Sequence, residues 1–384
     1  MAPILLAAVP LGIWLYLLFA RGAFWRVHTH LLPPSSESPN PARIVAVVPA
    51  RDEAPVVGEA VRSLLQQALP RPMHVILVDD GSSDGTAEVA RRVAAGIGAA
   101  DRLTILAGKR LPRGWTGKLW AVSQGVAAAA LTVPDYYLLT DADIQHDAES
   151  IGRLLAMAQE RNIDLASYMV KLSVGSRAEK LLIPAFVYFF FQLYPPRWIT
   201  MPATTAAGAA GGCILIRPEA LERAGGISAI RNALIDDCAL AAAVKRSGGK
   251  LWLGLTDESR SIRSYEGFSG VGQMISRSAF HQLRHSTVLL LGTVLGLAVT
   301  YLAPPLLLLS GRWAPMLLGG MAWAFMTISY LPILRFYRRS PLWSLSLPLV
   351  ATFYAGCTVY SAFRFWTGSG GKWKGRAQDT IGHR

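Results

Sequence analysis

The sequence predicts an α/β domain with a mostly parallel sheet, joined to apolar helices near both ends of the chain that span a membrane. Three observations predict it. Between Ile44 and Thr140 short β-branched runs alternate with helical stretches, as in a parallel sheet wrapped by helices. Of the 25 acidic residues, 23 lie between Asp52 and Glu266, and only Glu37 and Asp379 fall outside. Met1–Ala20 has no charged side chain, Ser286–Leu334 has only Arg312, and Ser340–Phe363 has none.

The elements follow in order. Residues 1–26 read as an N-terminal anchor, with Pro3–Ala20 just long enough to span, since crossing a bilayer core takes about 20 apolar residues. This segment has no basic residues before its apolar run and no small-x-small cleavage site, and Arg21 and Arg26 follow it directly. An uncleaved anchor with the next domain in the cytoplasm fits those flanks. Residues 27–42 are a linker, proline-rich and polar from Pro33 to Pro41.

Residues 43–266 form the water-soluble domain. Strands are expected at Ile44–Pro49, His74–Val78, Leu103–Leu106 and Tyr136–Thr140, with helices at Val56–Ala68, Thr86–Ala95 and Gly117–Ala130. Gly211-Gly212 turns into a further strand, and a helix follows over Cys238–Ser247. Residues 267–286 are expected to be an amphipathic interfacial helix, basic over Gln273–His285. The run Ile183–Phe191 reads either as an interfacial segment that receives a lipid or as a buried core helix.

Residues 287–364 supply about three spans, near Thr287–Leu309, Ala314–Leu334 and Leu342–Phe363, and residues 365–384 are a basic tail. Two spans return the Arg335–Arg339 cluster to the cytoplasm. A third sends Lys372–Arg376 to the far side, against the positive-inside trend. A re-entrant segment broken at Pro304–Pro305 or Pro348 would restore parity.

Composition narrows the class. The 384 residues are 52% hydrophobic and 16% charged, against about 25% charged in soluble domains. That excludes an ordinary soluble globule, and so much apolar side chain excludes a disordered chain. The net charge of +13 is concentrated at one end, since from Gly267 onward there are 11 basic residues and one acid. Positive charge there sets topology and meets anionic headgroups, so nucleic acid is not needed as a partner. Cys213, Cys238 and Cys357 are far apart and lack metal-ligand spacing, as buried thiols in a reducing compartment would be.

The acids carry the chemistry. Ligands of a parallel α/β sheet bind beyond the carboxyl ends of its strands. Three of the expected strands end in acidic loops there: Arg51-Asp52-Glu53 after Pro49, Asp79-Asp80, and Asp141-Ala142-Asp143. One acidic turn is ordinarily a solvated Asx turn; three converging on one edge imply a bound cation. Hard divalent ions take one or two carboxylates together with substrate phosphates. Lys118, at the start of a helix after Gly114–Gly117, is placed to meet a diphosphate. Asp236-Asp237 opens a helix, where acids favour the macrodipole and a carboxylate can also serve as general base. No Walker-type glycine spacing is present, which argues against a P-loop nucleotidase.

Taken in order, Pro49–Glu53, Asp79–Ser82, Lys118, Asp141–Asp143, Gly211-Gly212 and Asp236-Asp237 resemble glycosyltransferase family 2 over about Arg43–Arg284. The whole layout is most similar to the membrane-bound hopanoid-biosynthesis-associated (hopene-associated) glycosyltransferases. It shares the N-terminal anchor, the stretches Gly114–Ala121 and Phe280–Ser286, and the distal apolar segments. The resemblance implies a GT-A fold and inverting transfer from a nucleotide sugar, a UDP-sugar first, to a membrane lipid or polyisoprenoid acceptor, with Mg2+ or Mn2+ as cofactor. It implies a bacterial inner membrane with the catalytic domain facing the cytoplasm.

It also implies roles. Pro49, Arg51, Glu53, Asp79 and Asp80 would hold the nucleotide, Asp141 the ribose and metal, and Asp143 the metal. Lys118 would contact the nucleotide or donor sugar. Asp237 would be the base, with Asp236 beside it. Gly211, Gly212, His281 and Arg284 would serve the diphosphate or acceptor side. Where many membrane-bound relatives have Gln-x-x-Arg-Trp, this chain has His281-Gln-Leu-Arg284-His285. The missing tryptophan weighs against a polysaccharide synthase, and the intact acidic set weighs against a binding module without turnover.

Overall fold

The computed structural model describes residues 2–26, 41–368, 372–373 and 376–377. The expected linker, apart from residues 41 and 42, and most of the basic tail lie outside them. In chain order the strands are β1 (Ile44–Ala50), β2 (His74–Asp79), β3 (Leu103–Ala107), β4 (Tyr136–Leu139), β5 (Ile144–His146), β6 (Leu165–Lys171), β7 (Ile214–Ile216), β8 (Leu251–Ser261), β9 (Lys372–Trp373) and β10 (Arg376–Ala377). The helices of the first half are α1 (Ala2–Phe19), α2 (Ala54–Leu65), α3 (Thr86–Gly96), α4 (Gly117–Ala130), α5 (Ser150–Glu160), α6 (Arg177–Leu193) and α7 (Pro196–Thr200). The rest are α8 (Pro218–Arg223), α9 (Asp236–Arg246), α10 (Gly267–Ser276), α11 (Ala279–Gln282), α12 (Thr287–Leu297), α13 (Ala303–Leu308), α14 (Trp313–Phe336) and α15 (Leu347–Trp366).

The chain divides into two compact units, one over residues 41–173 and 198–263, the other over 2–26, 174–197 and 264–368. The first holds an eight-stranded sheet in the order β3-β2-β1-β4-β7-β6-β8-β5. β1 to β4, β6 and β8 run one way, while β7 and β5 run against their neighbours. β1 is buried at all seven positions, as its unbroken apolar run requires of a strand covered on both faces. Ala50 pairs with Asp79 and Val47 with Leu139, so the loops after β1, β2 and β4 open at one edge. α2 buries Val57, Ala60, Val61, Leu64 and Leu65, the helical stripe of its sequence. α4 presses its Gly125 against β1, where a Cβ would lie 2.4 Å from Val47 Cγ1.

The second unit is helical. Three of its helical segments are long and apolar enough to cross a membrane: Thr287–Leu308, Trp313–Phe336 and Pro341–Trp366. They fall close to the expected spans. The first passes through a π turn at Ala298–Leu302 just before Pro304-Pro305, two residues that lack the N–H a regular helix needs. α12 leaves Val288, Leu291 and Leu295 exposed, an apolar face suited to lipid. α1, at 18 residues, is a shorter apolar helix. Its buried Trp14 donates to the Thr300 carbonyl at 2.8 Å.

One open alternative narrows here and one expectation changes. The Ile183–Phe191 run belongs to α6, which buries Ile183, Ala185, Val187, Tyr188 and Phe191. Tyr188 hydrogen-bonds Ser329 of α14 at 2.7 Å and Tyr354 of α15 donates to Leu182 O at 3.0 Å. This is the core-helix alternative. Gln273–His285 is not one helix: it divides into α10 and α11, and Arg284 and His285 both adopt left-handed backbone, at φ 52° and 56°. Two successive left-handed residues end a right-handed helix, and the Ser286 hydroxyl then caps α12.

Candidate active site

The loops beyond β1 and β2 lock together through short side chains. Asp80 N–H donates to Ala50 O at 2.8 Å. Asp79 Oδ1 accepts from Ser82 N–H at 2.9 Å, and the Asp52 N–H donates to Ser82 Oγ at 3.0 Å. Asp84 accepts from the Thr86 N–H at 3.1 Å and from the Ala54 N–H that opens α2 at 2.9 Å. The Arg51 guanidinium donates to the Asp80 carbonyl and lies 3.6 Å from Asp80 Oδ2. Asp80 is buried.

A second cluster centres on Lys118. Thr116 caps α4 by accepting from Leu119 N–H, and this sets Lys118 on the first turn. Its Nζ lies 2.8 Å from Asp141 Oδ1 and 3.0 Å from Asp236 Oδ2. Burial disfavours the ammonium, but Asp141 and then Asp236 outweigh it and hold the charge well above its ordinary range. Asp141 is raised by burial and by Asp143, against the pull of Lys118.

Asp236 and Asp237 begin α9. Asp237 Oδ2 accepts from the Gly211 N–H at 2.8 Å and Oδ1 from the Cys238 N–H at 2.7 Å. Burial first, then Asp236, push Asp237 up to about 6, while Lys118 and the two N–H groups oppose the rise. A general base works best with a value near the working pH. The pocket enclosing these groups is walled by Pro49, Leu139, Thr140, Ile227 and Leu240.

Gly211 and Gly212 face different constraints. A Cβ on Gly211 would point at Lys118 Nζ, Asp237 Oδ2 and Asp141 Oδ2; one on Gly212 would lie 2.9 Å from Val170 Cγ2. The Gly212 carbonyl accepts from Thr140 Oγ1 at 2.7 Å. Behind Thr140 stands fully buried His146, with Nε2 3.1 Å from Thr140 Oγ1 and Nδ1 2.8 Å from Ser259 Oγ. Burial pushes His146 down to about 3, so the ring is neutral.

Asp143, expected to face a metal, is engaged by protein groups. Its Oδ2 accepts from Arg263 Nε at 2.8 Å, and Arg263 Nη2 reaches Glu53. Sequence reasoning missed Arg263 and His146. The apolar run Leu251–Leu255 marks the strand that delivers Arg263, but its partner Ile144–His146 is only three residues long. Among the described residues no group of three or more His, Cys, Asp or Glu converges as a metal cage. Asp141 and Asp143 still offer the hard carboxylate oxygens that Mg2+ or Mn2+ takes when a diphosphate completes the shell; the donor set fits such an ion. His281 and Arg284 belong to the helical unit, where the His281 and His285 rings meet edge to face and His285 stacks on Phe365.

Residues 45–225 match the sequence model of glycosyl transferase family 2. This segment is a family 2 glycosyltransferase domain. The chain is 33% identical over 125 residues to a 4,4'-diaponeurosporenoate glycosyltransferase of Staphylococcus aureus, an alignment that takes in 33% of this chain and 30% of that protein. It is 28% identical over 138 residues to an uncharacterized protein of Methanocaldococcus jannaschii, across 36% of this chain and 48% of the relative. The chain thus spans less than half the length of these curated relatives. In structure it is similar to a mannosyltransferase of Pyrobaculum calidifontis solved in complex with GDP-Man and Mn2+. The TM-score is 0.52 and the identity 17%, over 93% of this chain and 98% of the other. The family 2 domain therefore has a GT-A-like fold, with a mostly parallel sheet.

Proposed function

We propose that the protein is an inverting glycosyltransferase that moves a sugar from a nucleotide-sugar donor to a lipid held at the membrane. The observation that carries this reading is Asp237: a carboxylate raised to about 6, fixed by two backbone N–H groups, in a pocket shared with Lys118 and Asp141. Asp237 takes the proton of the acceptor hydroxyl onto a carboxylate oxygen. The acceptor oxygen attacks the anomeric carbon from the face opposite the diphosphate. The bond to the diphosphate breaks, the nucleoside diphosphate leaves with the electron pair, and the anomeric configuration inverts.

Asp141 and Asp143 would hold Mg2+ or Mn2+, which when bound supplies positive charge against the diphosphate oxygens. Lys118 adds a fixed cation beside Asp141, and preorganised charge of this kind is the main source of rate enhancement in such transfers. Pro49, Arg51, Glu53, Asp79 and Asp80 form the edge on which the nucleotide rests. The three apolar segments support a bacterial inner-membrane location, and the basic flank of the first apolar helix favours a catalytic domain on the cytoplasmic side. Resemblance to the hopanoid-associated enzymes makes a polycyclic or polyisoprenoid lipid the first acceptor class to offer.

The test is a panel of UDP- and GDP-sugars given to the purified full-length protein with lipid extract, with products read by mass spectrometry. A glycolipid should form with one donor, and Asp237→Asn should lower its rate by about 100-fold or more, the scale of a lost general base. Wild-type donor consumption in Asp237→Asn would remove Asp237 from the role.

A further inference from the structure

Arg263 is a cation of the catalytic edge that the proposed reaction leaves without a part. It follows β8, and two main-chain features bring it beside Asp143: Ile144 pairs with Ser261, and Ile262 N–H donates to Asp143 O at 2.9 Å. The guanidinium then reaches acids of two different loops. Nε donates to Asp143 Oδ2 at 2.8 Å and Nη2 pairs with Glu53 Oε2. The Ser261 hydroxyl adds a longer bond to the same Asp143 oxygen at 3.4 Å. The two acid side chains are only 14% and 10% exposed. Carboxylates so little hydrated are costly without a cation beside them.

A divalent ion and a guanidinium cannot both use that oxygen closely. They would compete for its lone pairs and repel each other across a few ångströms. We propose that Arg263 is a built-in counter-ion for Asp143, which a divalent cation must displace before it binds. The proposal rests on the reading of Asp143 as a metal ligand. In the metal-free protein Arg263 neutralises the Asp143 and Glu53 loops and holds them together. When the cation arrives, Arg263 gives up Asp143 and keeps Glu53. The loop is thereby kept ordered before the cation binds, at the expense of affinity for the free ion.

The experiment uses the full-length protein in detergent with Mn2+ alone as probe, the free ion being counted by electron paramagnetic resonance. Arg263→Gln should bind Mn2+ about tenfold more tightly than the wild type, the effect of releasing one charged hydrogen bond from the ligand oxygen. Arg263→Lys, which keeps a charge but loses the fork, should fall between. In an Asp143→Asn background Arg263→Gln should change nothing. A melting curve is taken for each variant, and if Arg263→Gln does not fold, a tighter Arg263→Lys supports the proposal and an unchanged one overturns it. If Asp143→Asn weakens Mn2+ binding but neither Arg263 variant strengthens it, the counter-ion role is wrong and the metal reading stands. If neither the wild type nor Arg263→Gln takes up Mn2+, both fail together.

Discussion

The backbone N–H of Gly211 donates to Asp237 Oδ2 at 2.8 Å, tying the turn before β7 to the first turn of α9. The residue that orients the proposed base is thus a glycine, and its missing side chain is what leaves room in front of that base. A Cβ there would lie 3.4 Å from Lys118 Nζ and 3.5 Å from Asp237 Oδ2.

Gly211→Ala is therefore expected to fold normally, because those separations are ordinary contacts, yet to fill the space beside Asp237 with a methyl group. Turnover should drop by about 10- to 100-fold, the range for a misplaced reacting group, with little change in melting temperature. Unimpaired turnover in a folded Gly211→Ala protein would show that substrate does not approach along this wall.

The charges around Asp237 predict two opposite shifts. Asp237 acts as a base only when deprotonated, so the rate should climb with pH through about 6 and level off above it. Lys118 lowers the Asp237 value and Asp236 raises it. Lys118→Met should then move the acidic limb to higher pH, and Asp236→Asn should move it lower. Rates measured from pH 5 to 8 on all three proteins check this, and limbs moving in the same direction would contradict it.

His146 makes the domain sensitive to acid. Its folded value, about 3, lies far below its unfolded one, about 6.5. The unfolded chain thus takes up the proton first as pH falls. The stability tied to the neutral ring is complete above about 6.5 and is lost progressively toward 3. His146→Gln should flatten the dependence of melting temperature on pH between 7 and 4. At pH 7, His146→Ala strips Thr140 and Ser259 of a partner, and should cost about 1–3 kcal/mol. Denaturant unfolding of the variants at both pH values measures each effect.

Much of this was legible in the chain itself, for identifiable reasons. β1 and β2 are continuous apolar runs that stop at acids, and α4 matches its expected bounds at Gly117 and Ala130 because Thr116 caps its start. Asp141, Lys118, Asp236 and Asp237 were marked by position after strands or at helix starts, and the fold brings all four together. Arg263 and His146 escaped because their meaning is non-local: the β5–β8 pairing that places both joins residues more than 110 positions apart. The break in Gln273–His285 escaped because neither left-handed residue is a glycine. α6 was ambiguous by pattern, since an apolar run of that length reads the same at an interface and in a core.

Lys245 supports the last prediction. It sits on the final turn of α9, whose first turn carries Asp236 and Asp237. Its Nζ donates to the carbonyls of Ile199 at 2.8 Å, Ala206 at 2.7 Å, Met201 at 3.1 Å and Trp198 at 3.2 Å, and lies 3.3 Å from Thr204 Oγ1. Three ammonium hydrogens shared among five oxygens gather residues 198–206 into a closed loop, the segment that leads to Gly211. Burial lowers the Lys245 value, as expected for an ammonium drawn into protein. Lys245→Met keeps the aliphatic stem but no donor, and Lys245→Arg offers a planar fork that does not match a ring of acceptors. Either variant should lose about 1–3 kcal/mol of stability and should be cut faster within 198–206 by a nonspecific protease. The pH limb set by Asp237 should stay where it is, because Lys245 is not among the groups that shift it. Wild-type cleavage rates in both variants would mean that the loop is held by something other than this ammonium.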